Sequence, residues 1–174
     1  MQCVVKAEST HGHYEEKKQV LTGVQQNDRG AETADPGLIP GIDLRPADIL
    51  TVDVGGGAVA LDIGICSPDA QNAGDDCTQT MLDRKKNYYA PYANSLDRQN
   101  IRYQPLIWSS FGRPHPQTTT YLRTLSKTIA RRRGCLGAGA VYAGLHKAIS
   151  IEIWRRASKQ VMSCWPAMNE WDFG

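Results

Sequence analysis

The chain has 174 residues, of which 41% are hydrophobic and 22% are charged, and its formal net charge is +2. This size and composition fit about one globular domain and exclude disorder, collagen or coiled coil as the main state. The net charge is too small to imply a polyanionic partner by itself, but its distribution is uneven. Residues 101–160 hold eleven Lys and Arg residues against one acid, Glu152, which predicts a cationic surface in that half.

Neither a membrane span nor a secretory signal is expected. An apolar run such as Ala58–Ile65 is broken by Asp62 and Gly64 and is far shorter than the ~20 residues that a membrane helix needs. Met1 is not followed by a basic start and an apolar stretch. The five cysteines contain no C-x-x-C pair, which predicts reduced thiols inside a cell.

The first third of the chain predicts a helix followed by a long loop. Val20 and Val24 lie four residues apart within the charged run Tyr14–Val24, a spacing typical of a short amphipathic helix. Residues 25–44 are rich in glycine and proline, which favours loop, with a short strand near Arg29–Thr33.

The clearest pattern in the sequence is a β-hairpin. Ile49–Val54 and Ala58–Ile65 are rich in Val, Ile and Leu, and three glycines, Gly55–Gly57, join them. Two β-rich runs around a short glycine linker predict antiparallel strands and a tight turn.

The second half predicts a helix, a strand and two further helices. The helix from about Thr78 must end or kink at Pro91, because proline lacks the backbone N–H that helix continuation needs. The other predicted elements are a buried strand over Ile101–Trp108 and helices over Thr118–Arg133 and Ala138–Met162. The order predicts an α/β or α+β mixed sheet, with one domain over residues 1–165 and a loose tail over residues 166–174.

Two acids stand inside the apolar strands of the hairpin, where an unpaired charge is costly. With the turn centred on Gly56, residue 48 lies opposite Gly64, so Asp48 and Asp62 are diagonal neighbours on one face, about 7–8 Å apart at the backbone. Carboxylates at this spacing can reach one hard divalent cation. The alternative interpretation is a hairpin with one wet face, on which both acids point to water. Asp53 is interpreted as a turn residue.

Five short pieces of sequence carry a resemblance to a known family. They are Arg45-Pro46-Ala47-Asp48, Leu61-Asp62-Ile63, Lys85 with Tyr89, Ile101–Leu106, and Gly112. In this order and spacing they resemble the restriction-like endonuclease domain that follows the reverse transcriptase in site-specific non-LTR retrotransposons, a member of the PD-(D/E)XK nuclease superfamily. The resemblance runs from about His11 to Gly112. It implies a restriction-endonuclease-like core, in which the hairpin of residues 49–65 forms the middle of a mixed sheet with helices on both sides.

The resemblance also implies a chemistry, the metal-dependent hydrolysis of a DNA phosphodiester bond. Asp48 and Asp62 would hold Mg²⁺ or Mn²⁺, and Lys85 would position the attacking water or the phosphate. A metal beside a cationic amine supplies the charge neutralisation and the water activation that this hydrolysis needs. The usual superfamily lysine lies two residues after the second acid, but that position is Gly64 here. The lysine would therefore come from the following helix.

The predicted helix places Lys85 and Tyr89 on one face, because residues four apart are neighbours on a helix. Tyr89 would then pack or hydrogen-bond beside the lysine. Lys86 is kept as a substitute for Lys85, although Lys85 fits the Lys-x-x-x-Tyr spacing of the family better.

Arg123, Lys127 and Arg131 recur every fourth residue and predict a cationic stripe on one helix face. Such a stripe could bind a DNA backbone with release of counterions, although a solvated surface is the alternative interpretation. The resemblance implies DNA as partner, with element RNA or a reverse transcriptase module as further candidates, and a location in the nucleus. The competing function is a catalytically inactive nucleic-acid-binding or interaction remnant of the same fold.

Two other motifs carry weaker interpretations. The retrotransposon domains carry a zinc knuckle upstream, of which only Cys3, His11 and His13 would remain here, too few for a closed tetrahedral site. A free thiol and two ordinary surface histidines are the favoured interpretation. Asp53–Gly57 resembles the phosphate-binding hairpin of the actin and sugar-kinase ATPases. No second phosphate loop accompanies it in the sequence, so an ordinary glycine turn is favoured.

Overall fold

The computed structural model describes residues 9–33, 47–52, 57–134 and 137–164. In these ranges the chain is a mixed α/β structure with one four-stranded sheet, which confirms the predicted class. The helices are α1 (Ser9–Gln25), α2 (Cys77–Tyr89), α3 (Ala93–Arg98), α4 (Pro116–Arg133) and α5 (Ala138–Cys164). The strands are β1 (Glu32–Thr33), β2 (Ile49–Val52), β3 (Ala58–Cys66) and β4 (Ile101–Ser109). None of the helices in the described ranges is long and apolar enough to cross a membrane.

The sheet has the strand order β1-β2-β3-β4. Strand β2 is antiparallel to both of its neighbours, whereas β3 and β4 run parallel. The chain passes from β3 to β4 through α2 and α3, because parallel neighbours need a long crossover. The predicted hairpin is therefore present, and its two strands form the middle of a mixed sheet.

The register predicted for the hairpin is wrong by two residues. Ile49 pairs with Leu61 rather than with Ile63, and Asp48 stands immediately before this first pair of the ladder. A slip of two residues leaves every side chain on its original face, so the alternation of apolar residues cannot distinguish the two registers. The turn residues 53–56, including Asp53, lie outside the described ranges, as do Cys3 and residues 166–174.

Each face of the sheet is covered by different helices. In β3 the side chains of Val59, Leu61 and Ile63 are buried with residues of α1, α4 and α5 in the larger core. Successive side chains of a strand point to opposite faces, so Asp62 and Gly64 face the other way. On that second face, smaller clusters join the strands to Leu82 of α2 and to residues of α3. Of the two predicted acids, Asp62 thus lies on the face of β3 that α2 covers, and Asp48 immediately precedes the neighbouring strand β2.

The breaks between helices follow the proline positions. Helix α2 ends at Tyr89, a 3₁₀ turn over Ala90–Tyr92 contains Pro91, and α3 follows, which confirms the predicted end of the helix. Helix α4 begins at Pro116, two residues before the predicted start, since proline is favoured in the first turn of a helix. The side chain of His115 caps α4 by accepting the backbone N–H of Gln117.

The N-terminus of α2 is fixed by Asp76. Its carboxylate accepts the backbone N–H of Thr78 (2.9 Å) and the Thr78 hydroxyl (2.7 Å), and it pairs with the guanidinium of Arg113 (2.7 Å). The hydrogen bond from Arg113, together with those from Thr78, holds the pKa of this carboxyl well below its usual range. Because α2 also carries Lys85, this cap fixes the start of the helix that brings the lysine to the sheet.

We predict that Asp76→Ala lowers the free energy of unfolding by about 1 kcal/mol at neutral pH, the usual loss for a helix cap. The matched control is Asp75→Ala, which removes the same charge from an exposed neighbour and should have little effect. A carboxyl whose pKa is depressed in the folded state stabilises the fold fully at pH values above its pKa in the unfolded state. This contribution is lost as the pH falls through the pKa of the folded state. Urea unfolding should therefore show that the free energies of unfolding of the natural chain and Asp76→Ala differ by a constant amount near neutral pH. This difference should narrow below pH 3.8, the ordinary pKa of an aspartate carboxyl.

Candidate active site

Asp62 is the buried centre of the site. It lies near the middle of β3, and its side chain is only 9% exposed. One carboxylate oxygen lies 2.6 Å from the Nζ of Lys85, and the other accepts a hydrogen bond from the hydroxyl of Tyr103 in β4. An otherwise costly buried charge is thus compensated by one cation and one neutral donor.

Burial still dominates the ionisation of Asp62. Desolvation raises the pKa of its carboxyl above the ordinary aspartate value, although Lys85 and Tyr103 act in the opposite direction. The negative charge of Asp48 raises this pKa further. Since the ionised form is under-compensated, an additional cation beside the two acids would be stabilised.

Asp48 stands just before β2, where the backbone departs from the regular ladder. Its N–H donates to the carbonyl of Leu61 (2.8 Å), and its carboxylate accepts the N–H of Ile63 (2.9 Å) from the neighbouring strand. The side chain therefore lies across the end of the β2–β3 ladder, beside Asp62. The structure brings the two predicted acids together, one from each side of the hairpin.

Lys85 reaches Asp62 by crossing over Gly64. A Cβ atom on Gly64 would lie 2.7 Å from Cε of Lys85 and 2.8 Å from Cδ1 of Ile107, closer than real contacts allow. Gly64 is also the position at which the resemblance leads one to expect the lysine. The missing side chain at this position is what leaves room for a lysine from α2.

The ring of Tyr89 packs against the ring of Tyr103 and joins the cluster through this contact. Their ring centroids are 4.7 Å apart with the planes tilted by 50°. Burial and the charge of Asp62 raise the pKa of both phenols, so both stay protonated at neutral pH. Tyr103 is consequently a permanent donor to Asp62, and Tyr89 fixes the position of its ring.

Two members of the cluster are absent from the sequence prediction, Tyr103 and Lys17. Tyr103 lies in the quoted piece Ile101–Leu106, but its role depends on the β3–β4 register, which sequence periodicity does not give. Lys17 of α1 lies 3.5 Å from Asp48, and the two side chains are only 11% and 16% exposed. One signal was available for Lys17, since it precedes the buried Val20 by three residues and so shares its helix face.

Lys86 is exposed and lines a cleft instead. This cleft has a volume of about 580 Å³ and lies between β4 and the first half of α4. Its walls carry polar and cationic groups, among them Arg102, Tyr103, Thr120 and Thr124. Because Tyr103 also contacts Asp62, the cleft adjoins the carboxylate pair.

The predicted cationic stripe lies away from the carboxylates. Arg123, Lys127 and Arg131 are exposed on α4, whose apolar side packs in the core on the opposite face of the sheet. The guanidinium of Arg123 lies 5.6 Å from the ring centroid of Tyr142 in α5, which turns this arginine toward its neighbouring helix. The structure therefore does not bring the stripe into the cluster.

The carboxylate pair fits Mg²⁺ or Mn²⁺ as a two-carboxylate site. Among the residues that the structure describes, no group of three or more His, Cys, Asp or Glu side chains could hold a metal. Mg²⁺ is usually held by one or two carboxylates and keeps several waters, so a third protein ligand is not required. All four oxygens of Asp48 and Asp62 have a donor or cation within the protein, but each oxygen has a second lone pair. The side chains of His11 and His13 lie outside the described part of the chain.

No family model, curated protein or solved structure matches the chain. The family resemblance therefore rests on the five sequence pieces.

Gly64→Ala tests the crossing of Lys85 over β3. We expect the free energy of unfolding to fall by about 1–3 kcal/mol, because the added methyl overpacks a buried contact between Lys85 and Ile107. The control is Gly144→Ala in α5, where a Cβ meets nothing within 4 Å and the helix should be unchanged or slightly stabilised. Equal unfolding free energies for the two variants would mean that Gly64 is not the gap described.

Proposed function

We propose that the chain is a metal-dependent DNA endonuclease of retrotransposon origin, with a restriction-endonuclease-like core. The observation that carries the proposal is the convergence of three side chains predicted as catalytic. Lys85 crosses Gly64 to reach Asp62 at 2.6 Å, and Asp48 stands beside Asp62 at the end of the same hairpin.

The sheet supports the same proposal. The β2–β3 hairpin lies in the middle of a mixed sheet with helices on both faces, and α2, α3, β4, α4 and α5 follow it. A central hairpin in a mixed sheet is compatible with the core that the resemblance implies. Asp48 and Asp62 are contributed by the hairpin, and Lys85 by the helix that crosses toward β4.

The residues divide the chemistry among them. Asp48 and Asp62 would hold Mg²⁺ or Mn²⁺, which when bound neutralises phosphate oxygens and makes water more acidic. The ammonium of Lys85 has three N–H donors, of which Asp62 accepts one, so others can orient a water or a phosphate oxygen. Tyr103 fixes the second oxygen of Asp62, which limits the rotation of that carboxylate. A phosphodiester that enters through the cleft would thus meet hydrogen-bond donors whose positions are already fixed.

A path for one DNA strand leads away from the site along α4. Thr120, Thr124, Lys127 and Arg131 follow one another at spacings of four, three and four residues, so they share one helix face. The two threonines line the cleft beside Tyr103. The two basic residues lie on the same helix face, closer to the C-terminus of α4. The eleven residue steps from Thr120 to Arg131 span about 16 Å, or about five nucleotides of a strand. This alignment supports DNA as the substrate. The proposed nuclear location, and element RNA or a reverse transcriptase module as further partners, follow from the resemblance alone.

One observation favours a second function, a catalytically inactive nucleic-acid-binding or interaction remnant. Every oxygen of Asp48 and Asp62 already has a partner within the protein. Lys17 and Lys85 each form an ion pair with one of the two acids without any metal. A remnant of this kind would keep the fold and the cleft but would not cleave DNA.

A nicking assay on supercoiled plasmid with Mg²⁺ separates the two functions. Asp62→Asn and Lys85→Met should each slow nicking by about 100-fold or more, because they remove a metal ligand and a positioned donor. Lys86→Met removes the same charge from the next residue and should retain most of the turnover. Nicking at the same rate by Asp62→Asn would reject the chemistry, and DNA binding without nicking by the natural chain would favour the remnant.

The strand path predicts a particular salt dependence. Replacing Lys127 and Arg131 with alanine should weaken DNA binding and reduce the slope of log affinity against log salt by about 0.9 for each lost phosphate contact. The control replaces Lys147 and Lys159, two exposed basic residues of α5, and should leave the slope almost unchanged. Fluorescence anisotropy with a labelled oligonucleotide, at several salt concentrations, measures the affinity and its salt slope for each double variant. Identical slopes in the two double variants would show that α4 does not track the backbone.

A further inference from the structure

Each acid of the candidate site has its own lysine, but the two pairs differ in geometry. Lys85 lies 2.6 Å from Asp62, within the range of a charge-assisted hydrogen bond. Lys17 lies 3.5 Å from Asp48, beyond the usual N–H···O range, so this pair is held by charge and not by a formed hydrogen bond. The two lysines reach the acids from different helices, α2 and α1.

We propose that Lys17 is a displaceable counter-ion that competes with a divalent cation for Asp48. This inference rests on the proposed function, because it concerns the same two metal-holding carboxylates. Lys17 neutralises Asp48 while no metal is present and gives way when one enters. Lys85 keeps its bond to Asp62, since its pair is the shorter and hydrogen-bonded one.

Burial makes the competition strong. The side chains of Lys17 and Asp48 are 11% and 16% exposed, so water screens their interaction less than it would on the surface. A dication placed on Asp48 would meet the ammonium of Lys17 at short range and repel it. Metal binding and the Lys17 contact therefore exclude each other in large part, which lowers the apparent metal affinity of the natural chain.

The position of Lys17 is fixed by the core and not by the acid alone. Val20 and Val24 of α1 are 2% and 1% exposed and pack against the sheet. Lys17 precedes them by three and seven residues, so it shares their helix face at the edge of the core. Lys18, the next residue, is exposed. The chain thus offers two adjacent lysines of which only one faces the site.

Calorimetric titration with MnCl₂ tests the proposal on the full-length chain. Lys17→Met should bind Mn²⁺ about tenfold more tightly than the natural chain, because the competing charge is gone. Lys18→Met removes the same charge from the same helix and should bind as the natural chain does. A purely structural role for Lys17 predicts the opposite sign, since a loosened site binds metal more weakly.

Thermal unfolding with and without MnCl₂ gives a second readout. Without metal, Lys17→Met should melt below Lys18→Met, because Asp48 has lost its counter-ion, and Mn²⁺ should raise its melting temperature by the larger amount. If Lys17→Met does not fold, Lys17→Gln replaces the ammonium with a neutral polar group and carries the same expectations.

The outcomes separate the two proposals. Equal or weaker Mn²⁺ binding by Lys17→Met, with binding by the natural chain intact, overturns the inference about Lys17 alone. Absence of Mn²⁺ binding in the natural chain and in all variants overturns the metal-dependent function together with the inference. Tighter binding by Lys17→Met that disappears when Asp48→Asn is added supports both.

Discussion

The contact on which the rest of the candidate site depends is the ion pair between Lys85 and Asp62. A carboxylate buried in the middle of a strand is unfavourable, and burial raises its pKa even with the ammonium 2.6 Å away. The contact requires α2 to lie close over β3, and this close approach requires Gly64 between them. It also requires the helix to begin at a fixed point, which Asp76 provides. The buried charge of Asp62 therefore depends on the helix cap at Asp76, on Gly64 and on the packing of α2 against β3.

The end of the β2–β3 ladder is the place where both faces of the sheet can contribute charge. Asp62 projects toward the face covered by α2, whereas Lys17 belongs to α1, whose apolar residues lie in the opposite core. Asp48 can meet both because the backbone leaves the regular ladder there, and its carboxylate replaces a backbone acceptor for Ile63. A regular strand would have committed Asp48 to one face. The irregularity at the strand end therefore allows two acids and two lysines from different layers to form one cluster.

Local patterns in the sequence were sufficient for the hairpin, the order of the helices and the shared face of Lys85 and Tyr89. Each of these depends on a period of two or of about four residues, which is visible without knowledge of the fold. The hairpin register was not recoverable in this way, because a slip of two residues keeps Ile49 and Leu61 facing the same core. Tyr103 and Lys17 were missed for a related reason. Their contacts join elements distant in sequence, and only the parallel β3–β4 pairing and the docking of α1 bring them to the acids.

The composition of the cluster bears on whether its role is structural or chemical. A buried ion pair is weak evidence of stabilisation, since well-packed apolar side chains of similar volume often stabilise a protein as much or more. Here two carboxylates, two ammonium groups and a phenol are gathered at one end of a hairpin whose strands consist mostly of Ile, Leu, Val and Ala. Maintaining them costs desolvation that apolar residues would avoid, and it leaves the pKa of Asp62 raised. A buried carboxyl with a perturbed pKa beside a polar cleft is more characteristic of a functional site than of a core. The cost of keeping these charges buried therefore favours a chemical role for the cluster over a purely structural one.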